Sequence, residues 1–142
     1  MRCYHPPRTI LPGWRVTTSG FLVVGIGAVF GAWLRWALGV FLNAVHPSLP
    51  IGTLVANLAG GYLIGVTIQW LGLRPDLPPE LRLLVVTGFL GALTTFSTFS
   101  VEAVNLLMRG QYGWAFGHSF VHLAGSLTCT WLGMQTVKAL AA

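Results

Sequence analysis

The stretch Thr87-Gly-Phe-Leu-Gly-Ala-Leu-Thr-Thr-Phe-Ser-Thr-Phe-Ser-Val-Glu102 decides how the chain folds. It extends an apolar run, Leu81 to Val86, and then sets Thr94, Thr95, Ser97, Thr98 and Ser100 close together before turning apolar again at Val101. A lipid interior holds no water for such groups, so polar or irregular backbone survives there only when it is buried in protein or lines a cavity. The run therefore reads as a functional break inside a membrane span.

The surrounding composition supports a membrane setting. The chain has 142 residues, 54% of them hydrophobic and only 8% charged, where a soluble domain carries roughly 25% charged residues. Four apolar stretches, Ser19 to Leu42, Ile51 to Leu73, Leu81 to Met108 and Gly113 to Leu140, each reach the roughly 20 residues needed to cross about 30 Å of hydrocarbon. The expected fold is an all-α membrane protein with four transmembrane helices, the third interrupted between Gly91 and Phe99. Residues 19–142 form the membrane domain. Residues 1–18, with Arg2, Arg8, Arg15 and three prolines, form a tail expected to be disordered. The apolar run behind that tail is too long for a signal-peptide core and contains Arg35, so cleavage is not expected.

Several function classes drop out. The net charge of +5 is scattered over loops and ends, without the basic strip and interleaved aromatics of a nucleic-acid binder. Cys3 and Cys129 form neither a metal-type pair nor an obvious disulfide. No nucleophile, base and orienting acid are spaced for catalysis, so an enzyme is not expected.

Along the chain, individual polar residues stand out against the apolar background. Gly27 and Gly31 on the first helix, and Gly113 and Gly117 on the fourth, have the small-xxx-small spacing that lets helices approach closely. Arg35 inside the first span either snorkels to the Asn43 to Pro50 loop or has a structural partner. Asn57 in the second span either makes an interhelical hydrogen bond or lines an ion path. Phe96 and Phe99 share a helical face. They are either core, or rings whose positive edges attract a small anion without a formal cation. Glu102 is a partner for Arg35 or Arg109, or else a proton-coupled carboxylate. On the fourth helix His118, His122, Ser126 and Thr130 recur every four residues as a polar stripe. The two histidines have metal-binding spacing, but no Cys, Glu or third His stands near them in the sequence.

Charge bears on topology. Arg74, Arg82 and Lys138 fall on the side of the termini and Arg109 and Arg35 on the other, and Arg2, Arg8 and Arg15 add three to the terminal side if the tail counts; without the tail the bias, three against two, is too small to set one orientation under the positive-inside rule. Thin, glycine-rich helices enclose little volume, so a pathway between two protomers in the bilayer is expected, and an antiparallel homodimer is permitted.

Gly52-Thr-Leu-Val-Ala-Asn57, followed by Thr87 to Phe99 with its Thr-Thr-Phe-Ser-Thr-Phe run, resembles the Fluc/CrcB family of fluoride channels, from about Gly20 to the C-terminus. The resemblance implies a dual-topology homodimer with two antiparallel pores in the bacterial inner membrane, passing fluoride passively and protecting the cell from it. It also implies roles for residues. Phe96 and Phe99 match the phenylalanines facing fluoride, Asn57 the pore asparagine, and Ser97 and Thr98 the hydroxyls between the rings. Thr95 belongs to the same polar run. Gly91 and Thr94 match positions whose carbonyls, from both protomers, hold a structural sodium ion. Arg35 and Glu102 match a first-helix arginine and a third-helix glutamate.

One departure concerns the fourth-helix polar track, which often begins with Tyr and here begins with His118, followed by His122 and Ser126. Because histidine titrates near neutrality, throughput is expected to depend on pH. The rival reading is a small four-helix proton-coupled exporter of hydrophobic cations working through Glu102. It has no need of a hydroxyl-rich break.

Overall fold

In the computed structural model, residues 17–45 and 49–141 are described. The tail expected over residues 1–18 lies outside them except for Thr17 and Thr18, and Thr18 already belongs to the first helix.

Helix α1 spans Thr18–Leu42. Thr17 caps it, its hydroxyl accepting the Gly20 N–H at 3.0 Å, which satisfies one of the donors a helix start leaves open. A short 3₁₀ turn, Asn43–Val45, follows. Helix α2, Ile51–Gly72, begins after Pro50, which has no N–H to lose. Asn43 reaches across to cap it, Oδ1 accepting from Gly52 N at 2.7 Å and Thr53 N at 3.3 Å.

The third span is assembled from pieces. Helix α3, Pro79–Arg82, opens it, and a π-helical segment, Leu83–Leu90, continues it. Helix α4 is the single turn Gly91–Leu93, and helix α5 runs from Phe96 to Met108. Between α4 and α5, Thr94 and Thr95 are extended, with ψ of 154° and 118°. The break is thus narrower than the Gly91-to-Phe99 interval expected from sequence, because Phe96 to Phe99 are already the first turn of α5. The π-helical winding was not anticipated. Its wide turns push carbonyls outward, and glycines on α1 receive them: a Cβ on Gly27 would collide with Leu84 O, and one on Gly31 with Phe89 O.

Helix α5 ends at Gly110, whose φ of +69° suits a residue without a Cβ. Gly110 N donates to Leu107 O and Gln111 N to Leu106 O, both at 2.9 Å, the paired bonds of a Schellman closure. The chain then reverses into helix α6, Tyr112–Ala141.

Two seams hold the protomer together. Helix α1 lies on the π segment, and α2 lies along α6, where added methyls on Gly65 and Gly133 would strike the backbones of Thr130 and Tyr62. The expected close approach at Gly113 and Gly117 does not occur in the protomer, where a Cβ at either would meet nothing within 4 Å. The small core centres on Ala56, Leu90 and Leu93. Large apolar side chains point outward instead, Phe41 being 76% and Trp36 71% exposed.

Three helical stretches, Thr18–Leu42, Ile51–Gly72 and Pro79–Met108, are long and apolar enough to cross a membrane. Helix α6 has 30 residues, about 45 Å at 1.5 Å per residue, but its histidines, serines and threonines leave it less apolar than the other three. No strand occurs among the described residues.

Candidate functional site

Thr53 and Asn57 stand one turn apart on α2 and so share a face. Gly60, the next residue along, lets Thr94 approach until an added Cβ would overlap its methyl. The break of the third span is therefore held directly against α2. Asn57 clamps it: Oδ1 accepts the Thr95 N–H at 2.8 Å, and Nδ2 donates to Thr95 O at 3.1 Å. Both polar groups of one extended residue are satisfied by one side chain, as a water-poor interior requires.

Thr95 also starts α5. Its hydroxyl accepts from Thr98 N at 3.1 Å and donates to Thr98 Oγ1 at 3.0 Å, with Ser97 Oγ at 3.2 Å. In an unbroken helix the N–H groups of Thr95 and Thr98 would close onto the carbonyls of Gly91 and Thr94. Here Asn57 and the Thr95 hydroxyl take those N–H groups, which releases both carbonyls from the helical ladder. Ser100 is occupied by its own helix, donating to Phe96 O at 2.8 Å.

Behind the break stands an aromatic and imidazole cluster. The Phe96 and Phe99 centroids are 5.4 Å apart at 55°. Phe99 lies against His118 at 5.4 Å and 24°, and against His122 at 4.9 Å and 35°. Phe96 is 79% exposed from the protomer, while His118 and His122 are buried. Asn57 Nδ2 is 3.1 Å from His122 Nδ1. Since the two Thr95 contacts fix which end of the amide is nitrogen, Asn57 donates and His122 accepts.

Glu102 corrects two expectations. Among the described residues it pairs with neither Arg35 nor Arg109. Thr53 Oγ1 donates to its Oε1 at 2.6 Å, and His118 Nε2 lies 3.5 Å from its Oε2. The absence of a third metal-type residue near the histidines was also an artefact of reading along the chain: α5 delivers Glu102 beside both, with one ligand atom from each of the three residues within 4.8 Å of the others. Thr53, whose hydroxyl holds Glu102, was not singled out, although its i, i+4 relation to Asn57 marked it.

Two clefts flank the break. One, of about 360 Å³, is lined by Asn57, Gly91, Thr94, Thr95, Phe96, Phe99, His122 and Ser126. The other, of about 420 Å³, is lined by Arg35, Trp36, Asn43, Thr53, Thr95 and Thr98. Thr95 borders both. Of the remaining residues expected at the site, Ser97 is exposed beside Thr95, and His118, stacked on Phe99, and Glu102, beside His118, line neither cleft.

Residues 22–134 match the model of the family described as CrcB-like protein, Camphor Resistance (CrcB). The chain belongs to the CrcB-like family. The matched segment contains every residue of both clefts, and it leaves out the N-terminal tail. Within it the chain is similar to proteins named fluoride-specific ion channel FluC. It is 59% identical to that of Cupriavidus pinatubonensis over 122 residues, covering 86% of this chain and 97% of the relative. With that of Nitrosospira multiformis it shares 60% over 118 residues, or 83% and 92% of the two chains. With that of Ralstonia pickettii it shares 59% over 119 residues, or 84% and 94%.

Proposed function

We propose that this CrcB-like protein is a fluoride-selective ion channel of the bacterial inner membrane, passing fluoride down its gradient and lowering its cytoplasmic concentration. The observation that carries the reading is the break at Thr94 and Thr95, pinned by Asn57 and opening beside Phe96 and Phe99 in a chain whose relatives are named fluoride channels. Fluoride is small and strongly hydrated. A path for it replaces water with donors yet must let it leave. The hydroxyls of Ser97, Thr98 and Ser126 and the ring edges are such donors, and none is a fixed cation, while Asn57, whose two amide hydrogens go to Thr95 O and His122 Nδ1, holds the break beside them. The imidazole of His122 extends the track along α6, with His118 beside it.

Helix α6 is the fourth span in this reading, its polar stripe turned toward α2 and α5. The working unit is an antiparallel homodimer. Its support is the exposure of Phe96 and the small bias of basic residues, three against two, that remains when the tail is left out of the count. A partner seated over the break would enclose a path that one protomer leaves open. The freed carbonyls of Gly91 and Thr94 suit a sodium ion, an oxygen-seeking cation held by carbonyls, and a second protomer would double their number. Such an ion would tie the two breaks together without being transported.

The exporter alternative fares worse. It needs a carboxylate open to substrate, and Glu102 accepts from Thr53 and lines neither cleft. Expression in a bacterium lacking its own fluoride channel tests the proposal. Restored growth on fluoride is expected, and continued sensitivity with protein present in the membrane would contradict it.

A further inference from the structure

His118 and His122 are 1% and 4% exposed, yet His122 Nε2 has no hydrogen-bond partner, and His118 Nε2 and Glu102 Oε2 have only each other, at 3.5 Å. Buried polar atoms are rarely left so, and a cluster of them calls for a ligand, such as an ordered water or an ion. We propose that Glu102, His118 and His122 form a binding site for a divalent transition-metal ion of the zinc, cobalt or nickel class.

The donor set is the first reason. Two imidazoles and one carboxylate select borderline metals and are a poor match for sodium, magnesium or calcium, which prefer oxygen. Two histidines at i and i+4 on α6 present nitrogens on one side of a helix, the spacing that zinc sites use, and α5 brings in the third ligand. Geometry is the second. Ligands about 2.0–2.2 Å from a tetrahedral zinc stand roughly 3.4 Å from one another. His118 Nε2 and Glu102 Oε2 are 3.5 Å apart, and the set as a whole spans no more than 4.8 Å. The Glu102 carboxylate offsets part of the ion's charge, and Thr53, donating to its other oxygen, orients it as outer partners of metal ligands do.

Binding has a consequence for Asn57. If the metal takes His122 Nδ1, the lone pair that accepts from Asn57 is used. If it takes Nε2, the ring proton moves to Nδ1 and faces the Asn57 N–H. Either way the 3.1 Å contact is lost, and Asn57 is the clamp on the break. The metal is therefore an inhibitor of conduction, a consequence that rests on the channel reading, whereas binding itself does not.

The test begins with calorimetric titration of zinc chloride into the purified, chelator-stripped full chain in detergent. One zinc per chain is expected, with affinity falling about tenfold or more in each of His118→Asn, His122→Asn and Glu102→Gln. Cobalt(II) titration of the parent supplies a readout that needs no variant, since four-coordinate cobalt absorbs far more strongly than the hydrated ion. Absence of saturable zinc binding, a cobalt spectrum that stays that of the hydrated ion, or three folded variants that bind as the parent does would overturn the site. Fluoride efflux with micromolar zinc is then expected to fall and to recover on chelation. Zinc that binds at the three residues but leaves efflux unchanged upholds the metal site and overturns its inhibition of conduction, whereas a parent that conducts no fluoride before zinc is added counts against the channel reading.

Discussion

Asn57 and Thr95 exchange two hydrogen bonds, N–H to Oδ1 at 2.8 Å and Nδ2 to carbonyl at 3.1 Å, so that one side chain closes the gap left in the third span. Asn57→Ala orphans both groups of Thr95, and each buried orphan costs about 1–3 kcal/mol. A clear fall in the thermal midpoint of the purified protein is expected, together with loss of fluoride efflux. Asn57→Asp keeps an acceptor for Thr95 N–H but turns an oxygen toward Thr95 O, and an intermediate midpoint is predicted.

The rings separate from the fold more cleanly. Phe96 is largely exposed in the protomer, so Phe96→Ile is expected to leave the midpoint nearly unchanged while greatly reducing efflux. Phe99 supports both histidines, and Phe99→Ile is expected to lower efflux and also shift the midpoint. Near-normal efflux in both would rule out a role for ring edges.

Much of this was legible before any coordinates. The apolar lengths marked three spans that the structure bears out, and the hydroxyl run marked the break. What sequence could not reveal depended on residues far apart in the chain. Glu102 meets His118 and Thr53 because α5 packs on α6 within reach of Thr53 on α2, which no spacing along the chain encodes. The π-helical winding of Leu83–Leu90 packs closely on Gly27 and Gly31 across the seam, and propensity within the segment carries no trace of it. Conversely, Gly113 and Gly117 had the right spacing and nothing to pack on in the protomer, since spacing specifies a smooth face but not a neighbour.

The α2–α6 seam gives a stability prediction. An added methyl on Gly65 would meet Thr130 backbone, which cannot rotate away, and overpacking of this kind costs about 1–3 kcal/mol. Gly65→Ala is expected to lower the thermal midpoint well below that of Gly25→Ala, whose methyl meets nothing within the protomer. Equal midpoints would contradict the seam.

Acidification provides another test. Protonating His122 puts a proton on Nδ1, where Asn57 now donates, and the contact breaks. Efflux at fixed free fluoride is expected to decline toward acid pH in the parent and to decline less in the His118→Asn plus His122→Asn double variant. Superimposable profiles would remove the histidines from the path.

The carbonyls of Gly91 and Thr94 lead to a prediction about ions. Exchanging sodium for a bulky organic cation is expected to lower the thermal midpoint and the efflux together. Indifference to the exchange would argue against a sodium ion at the break.

The most direct measurement is anion efflux from liposomes containing the purified protein, followed with fluoride and chloride electrodes under matched gradients. Rapid fluoride release with negligible chloride release is the predicted result. Equal release of both anions, or of neither from folded protein, would contradict a fluoride path at the Asn57-held break.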